Sequence, residues 1–199
     1  MRVLVNESLP GTADHAVGLL ASAGHQVLRC HERGERPFPC LGVLDADECP
    51  IRAGVDVALT VRGGQRPEPS PFEDGMACAI RARIPVVVAG HTLNNPFEAV
   101  GAEADEGEHV VGACERVATA PSPGHTAVAR AALEHGTPAG HDVTAVVYRR
   151  PDGLRVELEG ASGVPHDVLV TAVPKVLTEL RLYDTGTDRI DVSIVEQDA

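Results

Sequence analysis

Apolar residues follow two alternating patterns over the first ninety positions: short continuous runs and longer stretches with helical spacing. The continuous runs predict β-strands, and the stretches with apolar residues every three or four positions predict helices. The predicted strands are residues 2–5, 25–30, 55–61 and 84–90, and the predicted helices are residues 13–24 and 72–83. Strands that alternate with helices form parallel sheets covered on both faces. The pattern therefore predicts an α/β fold, specifically a Rossmann-like or flavodoxin-like domain of three layers.

A change of composition at residues 119–124, which read TAPSPG, marks a predicted boundary between two domains. Before it, residues 91–108 predict a loop with a short helical turn, and residues 109–118 predict a helix or a strand. We therefore place a first domain at residues 1–118 and a second at residues 122–199.

The second domain shows the pattern of a small α+β unit. A helix is predicted to follow the N-cap Ser122 and to end at the capping glycine Gly136. Residues 151–153, Pro-Asp-Gly, predict the turn of a β-hairpin. A helix kinked near Pro174 and a strand at residues 189–195 complete an αββαβ order. We expect this unit to serve for dimerisation and the protein to be a homo-oligomer, because small sheets of this kind can pair with a second copy.

Charge and hydropathy narrow the range of partners. The 199 residues carry a net charge of -12 at pH 7, so a nucleic-acid partner is not expected, since binding to phosphates depends on Lys and Arg. No apolar run approaches the roughly 20 residues that span a bilayer, so a membrane partner is not expected either. The N-terminus leads directly into a predicted strand, with no signal-like segment, which predicts a cytoplasmic protein. Of the two domains, the first carries most of the candidate chemistry.

Open α/β sheets bind ligands beyond the carboxyl ends of their strands, where loops and helix N-termini converge. The polar residues that follow the predicted strands should therefore form a site for a small molecule. The candidates are Asn6, Ser8, Thr12, Arg62, Asp74, His91, Asn94 and Asn95. The loop after the first strand has neither the Gly-x-Gly-x-x-Gly motif nor the Walker lysine, so no cofactor is assigned.

Residues 55–90 combine an Asp-led apolar strand, a Glu-x-Gly-x-Ala-x-Ala helix start at Glu73 and a Pro-Val strand at Pro85. This segment resembles the nucleoside deoxyribosyltransferases and related Rossmann-like nucleotide-processing proteins. The resemblance implies that Glu73 is a catalytic nucleophile that attacks the anomeric carbon of a sugar. The alternative is that Glu73 and Asp74 complement the N-terminal dipole of a helix.

Cys30 ends the second predicted strand, and Cys40 and Cys49 lie in the long connection from it to the third. Their spacing matches neither the zinc-ribbon nor the iron–sulfur pattern. Three thiolates and one further ligand could still complete a tetrahedral metal site. The other interpretations are a reactive thiol and ordinary buried sulfur.

Three functions remain open at this stage. The first is a protein that binds or transforms a small molecule, a nucleoside or nucleotide among the candidates, at the sheet edge. The second is a non-catalytic scaffold or assembly protein, and the third is metal or thiol chemistry in the cysteine loop. In the second domain, His125, His135, His141 and His166 fall at predicted helix ends or loops, where solvated histidines are expected.

Overall fold

The computed structural model describes residues 1–31, 36–64, 67–90, 93–104, 109–137, 141–150 and 152–195. Contacts between residues divide the chain into two compact units, Met1–Ala118 and Thr119–Ala199. Within the described residues, none of the helices combines the length and the apolar character needed to cross a membrane.

The first unit is built around a parallel sheet of five strands with helices on both faces, which confirms the predicted α/β class. The strand order is β2-β1-β3-β4-β5, the order of flavodoxin-like sheets. The elements in chain order are β1 (Arg2–Glu7), α1 (Asp14–Ser22), β2 (Gln26–Leu28), α2 (Leu41–Leu44), α3 (Pro50–Ala53), β3 (Val57–Arg62), α4 (Asp74–Arg81), β4 (Val86–Gly90), β5 (Gly101–Glu103) and α5 (Val110–Thr119).

Two apolar layers enclose the sheet, because successive side chains of a strand point to opposite faces. On one face Val3 and Val5 pack with Leu20 of α1 and with Ala113 of α5. On the other face Leu4, Ala58 and Val88 pack with Met76 and Ala79 of α4, together with Cys30 and Phe97. Small aliphatic residues build both layers, which fits a chain with only 3% aromatic residues.

The structure corrects the predicted elements in two places and decides between two alternatives in a third. The predictions gave the first unit four strands, but β5 adds a fifth, which pairs with β4 through Val86 and Gly101. The predicted loop between β2 and β3 contains α2, α3 and a turn of 3-10 helix at Ala46–Glu48. Residues 109–118 were predicted as a helix or a strand, and α5 (Val110–Thr119) confirms the helix.

The second unit contains a three-stranded sheet in the order β6-β7-β8 and two helices. Its elements are α6 (Pro123–Gly136), β6 (Thr144–Arg150), β7 (Gly153–Glu159), α7 (His166–Tyr183) and β8 (Ile190–Val195). The predicted αββαβ order is therefore observed. β6 and β7 form the predicted antiparallel hairpin, and β8 pairs in parallel with β7.

One apolar core joins the helices of this unit to its sheet. Ala129 and Leu133 of α6 and Val176 of α7 pack against Val147 of β6 and Val156 of β7. Gly136, predicted as a capping glycine, lies inside α6, and the carbonyl oxygen of Leu133 accepts a hydrogen bond from Thr137 at the end of the helix. Whether this unit is an independent domain that pairs with a second copy stays a prediction.

Candidate functional site

Successive strands are added to the sheet on one side of β1 for β2 and on its other side from β3 onward, so the strand order reverses between β1 and β3. These two strands are parallel neighbours although β2 lies between them in sequence. In open α/β sheets the ligand crevice lies outside the carboxyl ends of the strands at such a switch point. Here those ends are Glu7 on β1 and Arg62 on β3, and the register pairs Glu7 with Val61. Polar side chains around these two positions form the candidate site.

Glu73 is at the centre of this region and is 1% exposed. Its Oε1 accepts a hydrogen bond from Thr60 Oγ1 at 2.8 Å and lies 3.4 Å from Arg62 Nε. Its Oε2 accepts a hydrogen bond from the backbone amide of Ser70 at 2.9 Å, and the Ser70 side chain completes a capping box. Both carboxylate oxygens are thus engaged by protein donors. This geometry favours the capping alternative for Glu73 over the predicted role as a nucleophile.

Arg62 connects Glu73 to two of the loops at the edge. Its Nη1 donates to the carbonyl oxygen of Asn94 at 3.3 Å, and its Nη2 donates to the carbonyl oxygen of Glu68 at 3.3 Å. The Arg62 side chain is 1% exposed, so its charge is balanced by a buried carboxylate instead of water. The predicted ligand-binding residue Arg62 therefore holds the loops after β3 and β4 together.

Glu7 organises the loop after β1 in the same manner. Its Oε2 accepts hydrogen bonds from the backbone amides of Gly11 at 2.9 Å and Ala13 at 3.1 Å, and Arg29 Nη1 lies 3.4 Å from its Oε1. The sequence predictions placed Glu7 among the polar residues after the first strand but did not include Arg29, Thr60 or Ser70. The Ser-x-x-Glu spacing of Ser70 and Glu73 is a capping-box signal that could have identified one of them.

Three predicted ligand-binding residues on and after β1 are engaged within the protein. The Asn6 amide nitrogen donates to Met76 Sδ at 3.1 Å, beneath α4. Ser8 Oγ accepts from the amide of Gly63 at 2.7 Å and donates to its carbonyl oxygen at 3.1 Å. Thr12 is half-buried, and its hydroxyl donates to the carbonyl oxygen of Leu9 at 2.8 Å. Of these three, Thr12 is the most accessible to a ligand.

The remaining predicted ligand-binding residues lie nearer the solvent. Asp74, at the start of α4, and Asn94 are exposed, and Asn95 is half-buried with its amide nitrogen 2.9 Å from Glu103 Oε1. His91 lies outside the described residues. The structure therefore brings Arg62 and Glu73 into direct contact and leaves Asp74 and Asn94 at the surface.

His31, next to Cys30 after β2, is 7% exposed and meets the ring of Phe72 edge to face, with 5.7 Å between centroids. Burial and the neighbouring charge of Arg29 lower the pKa of His31, against a smaller opposing effect of Glu7. The imidazole is therefore neutral at pH 7 and contributes an uncharged polar group beneath the edge.

The cysteine loop returns to the sheet, as the amide of Leu41 donates to the carbonyl oxygen of Cys30 at 2.8 Å. Burial, followed by the nearby thiols of Cys40, Cys78 and Cys49, raises the pKa of Cys30 to about 12. Cys78 on α4 thus joins the three predicted cysteines, which the sequence analysis did not anticipate. In the part of the chain that the structure describes, no group of three or more His, Cys, Asp or Glu side chains is arranged to hold a metal ion. The metal site on Cys30, Cys40 and Cys49 gains no support from this arrangement.

A cleft of about 600 Å³ belongs wholly to the second unit, between α6 and α7. Its walls are mostly aliphatic, with Val128, Ala132 and Pro174 among them, and Lys175 and Glu179 lie at its polar side. It is unrelated to the sheet-edge residues.

In comparisons with known proteins, no protein-family model, curated protein or solved structure matches the chain.

Proposed function

We propose that the first unit binds a small molecule at the carboxyl edge of its parallel sheet, around the switch point between β1 and β3. One observation carries the proposal. Among the described residues of this unit, every buried polar or charged side chain belongs to β1, β3 or the segments that follow β1, β2 and β3 toward this edge: Asn6, Glu7, Ser8, His31, Thr60, Arg62, Ser70 and Glu73. Burying charge costs free energy, so its concentration at a switch point is typical of functional sites.

In this proposal the buried network supports the site and the groups above it contact the ligand. Glu7 and the Arg62–Glu73 pair fix the loops after β1 and β3, whose glycines allow close approach to backbone amides. Thr12, Asp74 and Asn94 then offer polar groups at the surface. The ligand is a compact polar molecule, with nucleosides and nucleotides as the first class to test. Glu73 acts on the ligand indirectly, by holding Arg62 and the loop that begins at Ser70.

The test is a ligand screen on the full chain, by thermal shift and then calorimetry, with nucleosides, nucleotides and sugars. A ligand that binds this edge should lose affinity about tenfold in Thr12→Val, because one hydroxyl is removed from the loop after β1. Thr171→Val is the matched control, since the Thr171 hydroxyl also donates to a backbone carbonyl within its own local turn, that of Asp167 at 3.0 Å.

Two results would contradict the proposal. One is the absence of any binding across the panel, which would favour the scaffold alternative. The other is a ligand whose affinity changes equally in Thr12→Val and Thr171→Val, because binding would then not involve the sheet edge.

A further inference from the structure

Ser122, His125 and Asp184 form a contiguous polar cluster in the second unit. Ser122 and His125 lie in the first turn of α6, and Asp184 directly follows α7. Ser122 Oγ lies 2.7 Å from His125 Nδ1, and His125 Nε2 lies 3.2 Å from Asp184 Oδ2. His125 was expected to be solvated, but it is 1% exposed, so this expectation was wrong. The sequence could not bring Asp184 to it, because they lie 59 residues apart.

The residue types in the cluster define which group donates and which accepts each hydrogen bond. Asp184 is an acceptor, so His125 carries its hydrogen on Nε2 and accepts from the Ser122 hydroxyl at Nδ1. Arg149 Nη1 donates to the same Asp184 oxygen at 3.0 Å. Although burial alone raises the pKa of Asp184, hydrogen bonds from Thr187 and His125 and the charge of Arg149 lower it overall, so the carboxylate stays ionised.

We propose that Ser122 is a nucleophile, that His125 is its general base and that Asp184 positions and stabilises the imidazole, so that the second unit reacts with esters by acyl transfer. The geometry meets the two distance criteria for such a site, a nucleophile in contact with its base and a base in contact with an orienting carboxylate. The two ring nitrogens exchange the roles that they have in the chymotrypsin-type triad.

The amino end of α6 supplies the remaining requirement, donors for the developing oxyanion. Ser122 is the N-cap residue, but its side chain caps no backbone amide in the described structure. Its hydroxyl points instead to His125. The amide of Gly124 belongs to the first turn, whose amides have no acceptor within a helix, so this amide and the helix dipole stabilise negative charge that develops at the amino end of α6.

The reaction has two balanced steps. Ser122 Oγ forms a bond to the ester carbonyl carbon while its proton moves to His125 Nδ1, and the carbonyl–alcohol bond breaks as that proton passes to the leaving oxygen. Water then forms the new bond to the acyl carbon, the bond to Ser122 Oγ breaks, and the proton of water returns through Nδ1 to Oγ. The products are an alcohol and a carboxylic acid.

Burial of His125 determines which of the two steps is slow. The imidazole packs edge to face against Tyr183, with 5.2 Å between ring centroids, and a side chain added at Gly124 would clash with the Tyr183 hydroxyl. Water reaches Nδ1 poorly in this arrangement, so the acyl-Ser122 intermediate should accumulate. The limited space beside Gly124 restricts the substrates to esters of small acyl groups.

The test uses the full chain and p-nitrophenyl acetate. We expect a burst of about one p-nitrophenolate per chain, followed by a slow phase. Intact-protein and peptide mass spectrometry should locate one acetyl group on Ser122. Ser122→Ala should abolish the burst, and the matched serine variant Ser193→Ala should retain it. Asp184→Asn should slow the burst at least about tenfold, and Asp184→Glu should recover part of the rate.

Circular dichroism and the thermal midpoint verify the fold of each variant. Ser122→Ala also removes the hydrogen bond to buried His125, so its fold is verified in the same way. The position of the acetyl group in the wild-type chain decides the question even if either variant unfolds, because this measurement needs no substitution. The proposal is overturned if the wild-type chain shows no burst, if the acetyl group is found on another residue, or if a folded Asp184→Asn reacts at the wild-type rate.

Discussion

Each unit has a polar cluster with a fully buried member: the network at the carboxyl edge of the first unit, and Ser122, His125 and Asp184 in the second. The two clusters differ in the exposure and the hydrogen bonds of Glu73 and Ser122. In the first region both oxygens of Glu73 are engaged by protein donors. In the second region the Ser122 hydroxyl is half-buried and bonds to a base. A carboxylate whose oxygens are all engaged is suited to support a site, whereas a hydroxyl at the edge of a cluster is suited to react.

Removing the Glu73 charge should produce the largest effect and tests whether the first region depends on its ion pair. Glu73→Gln leaves Arg62 as a buried charge without its carboxylate, so the free energy of unfolding should fall by about 3–5 kcal/mol. Urea denaturation measures this change. The adjacent exposed carboxylate gives a matched control, because Asp74→Asn should change stability by no more than about 0.5 kcal/mol. Equal effects in the two variants would show that the Glu73 network contributes no special stability.

The rates at which the thiols react show whether Cys30, beneath the sheet edge of the first unit, stays shielded from solvent. Cys78 is exposed, whereas Cys30 is buried with its pKa raised to about 12, so thiolate is scarce on Cys30 at pH 8. Ellman's reagent should therefore modify Cys30 at least about a hundredfold more slowly than Cys78. Cys114, buried in the opposite layer of the sheet, should also react slowly and serves as the control for burial. Rapid modification of Cys30 with Cys114 still protected would show that the edge opens.

Alanine substitutions at one glycine in each region compare how tightly the two regions are packed. A Cβ at Gly75 would clash with buried Asn6 Oδ1 and lie 3.0 Å from Cys30 Sγ, whereas one at Gly124 would meet the terminal hydroxyl of Tyr183. Gly75→Ala should cost about 1–3 kcal/mol, and Gly124→Ala should cost less because Tyr183 is half-buried and its ring can shift as a whole, whereas Asn6 is fully buried. Denaturation midpoints measure both. Gly18→Ala, with open space around it in α1, should be neutral or stabilising by up to about 1 kcal/mol. The opposite order for Gly75 and Gly124 would contradict the comparison.

Lowering the pH should reduce the folding stability of the second unit, because Asp184 becomes protonated. The folded-state pKa of this carboxyl lies below its ordinary value, so its contribution to stability is present above about pH 4 and is lost as the pH falls through the folded value. The thermal midpoint of the wild-type chain should exceed that of Asp184→Asn at pH 6, and the difference should shrink toward pH 3. A constant difference between pH 6 and pH 3 would show that the charge of Asp184 does not stabilise the fold.

Much of the architecture followed from local patterns. The continuous apolar strands and the helical spacing between them predicted four strands of the parallel sheet and the αββαβ order of the second unit, because burial on both faces requires such runs. β5 escaped prediction because Gly101–Glu103 is three residues long and half-buried or exposed, too short for a periodicity to be visible.

The candidate site was only partly predictable. Strand ends located Asn6, Ser8, Arg62 and Glu73 at one edge, since the carboxyl ends of parallel strands meet there. Their side-chain directions were not visible in the sequence, and all four proved to be buried and hydrogen-bonded within the protein. The contact of Glu7 with Arg29 was missed because it depends on the distance between two strands, not on any local motif.

Hydrophobic periodicity is a local property of the chain, and it was enough to predict four strands of the parallel sheet, the main helices and the edge where polar residues gather. The candidate functional residues that the sequence indicated were the polar residues at strand ends and the clustered cysteines. The tertiary structure decided which of these groups are accessible and which are bonded within the protein. Only folding brings Arg62 to Glu73, Cys78 to Cys30 and Asp184 to His125, because contacts between distant residues depend on how the elements pack.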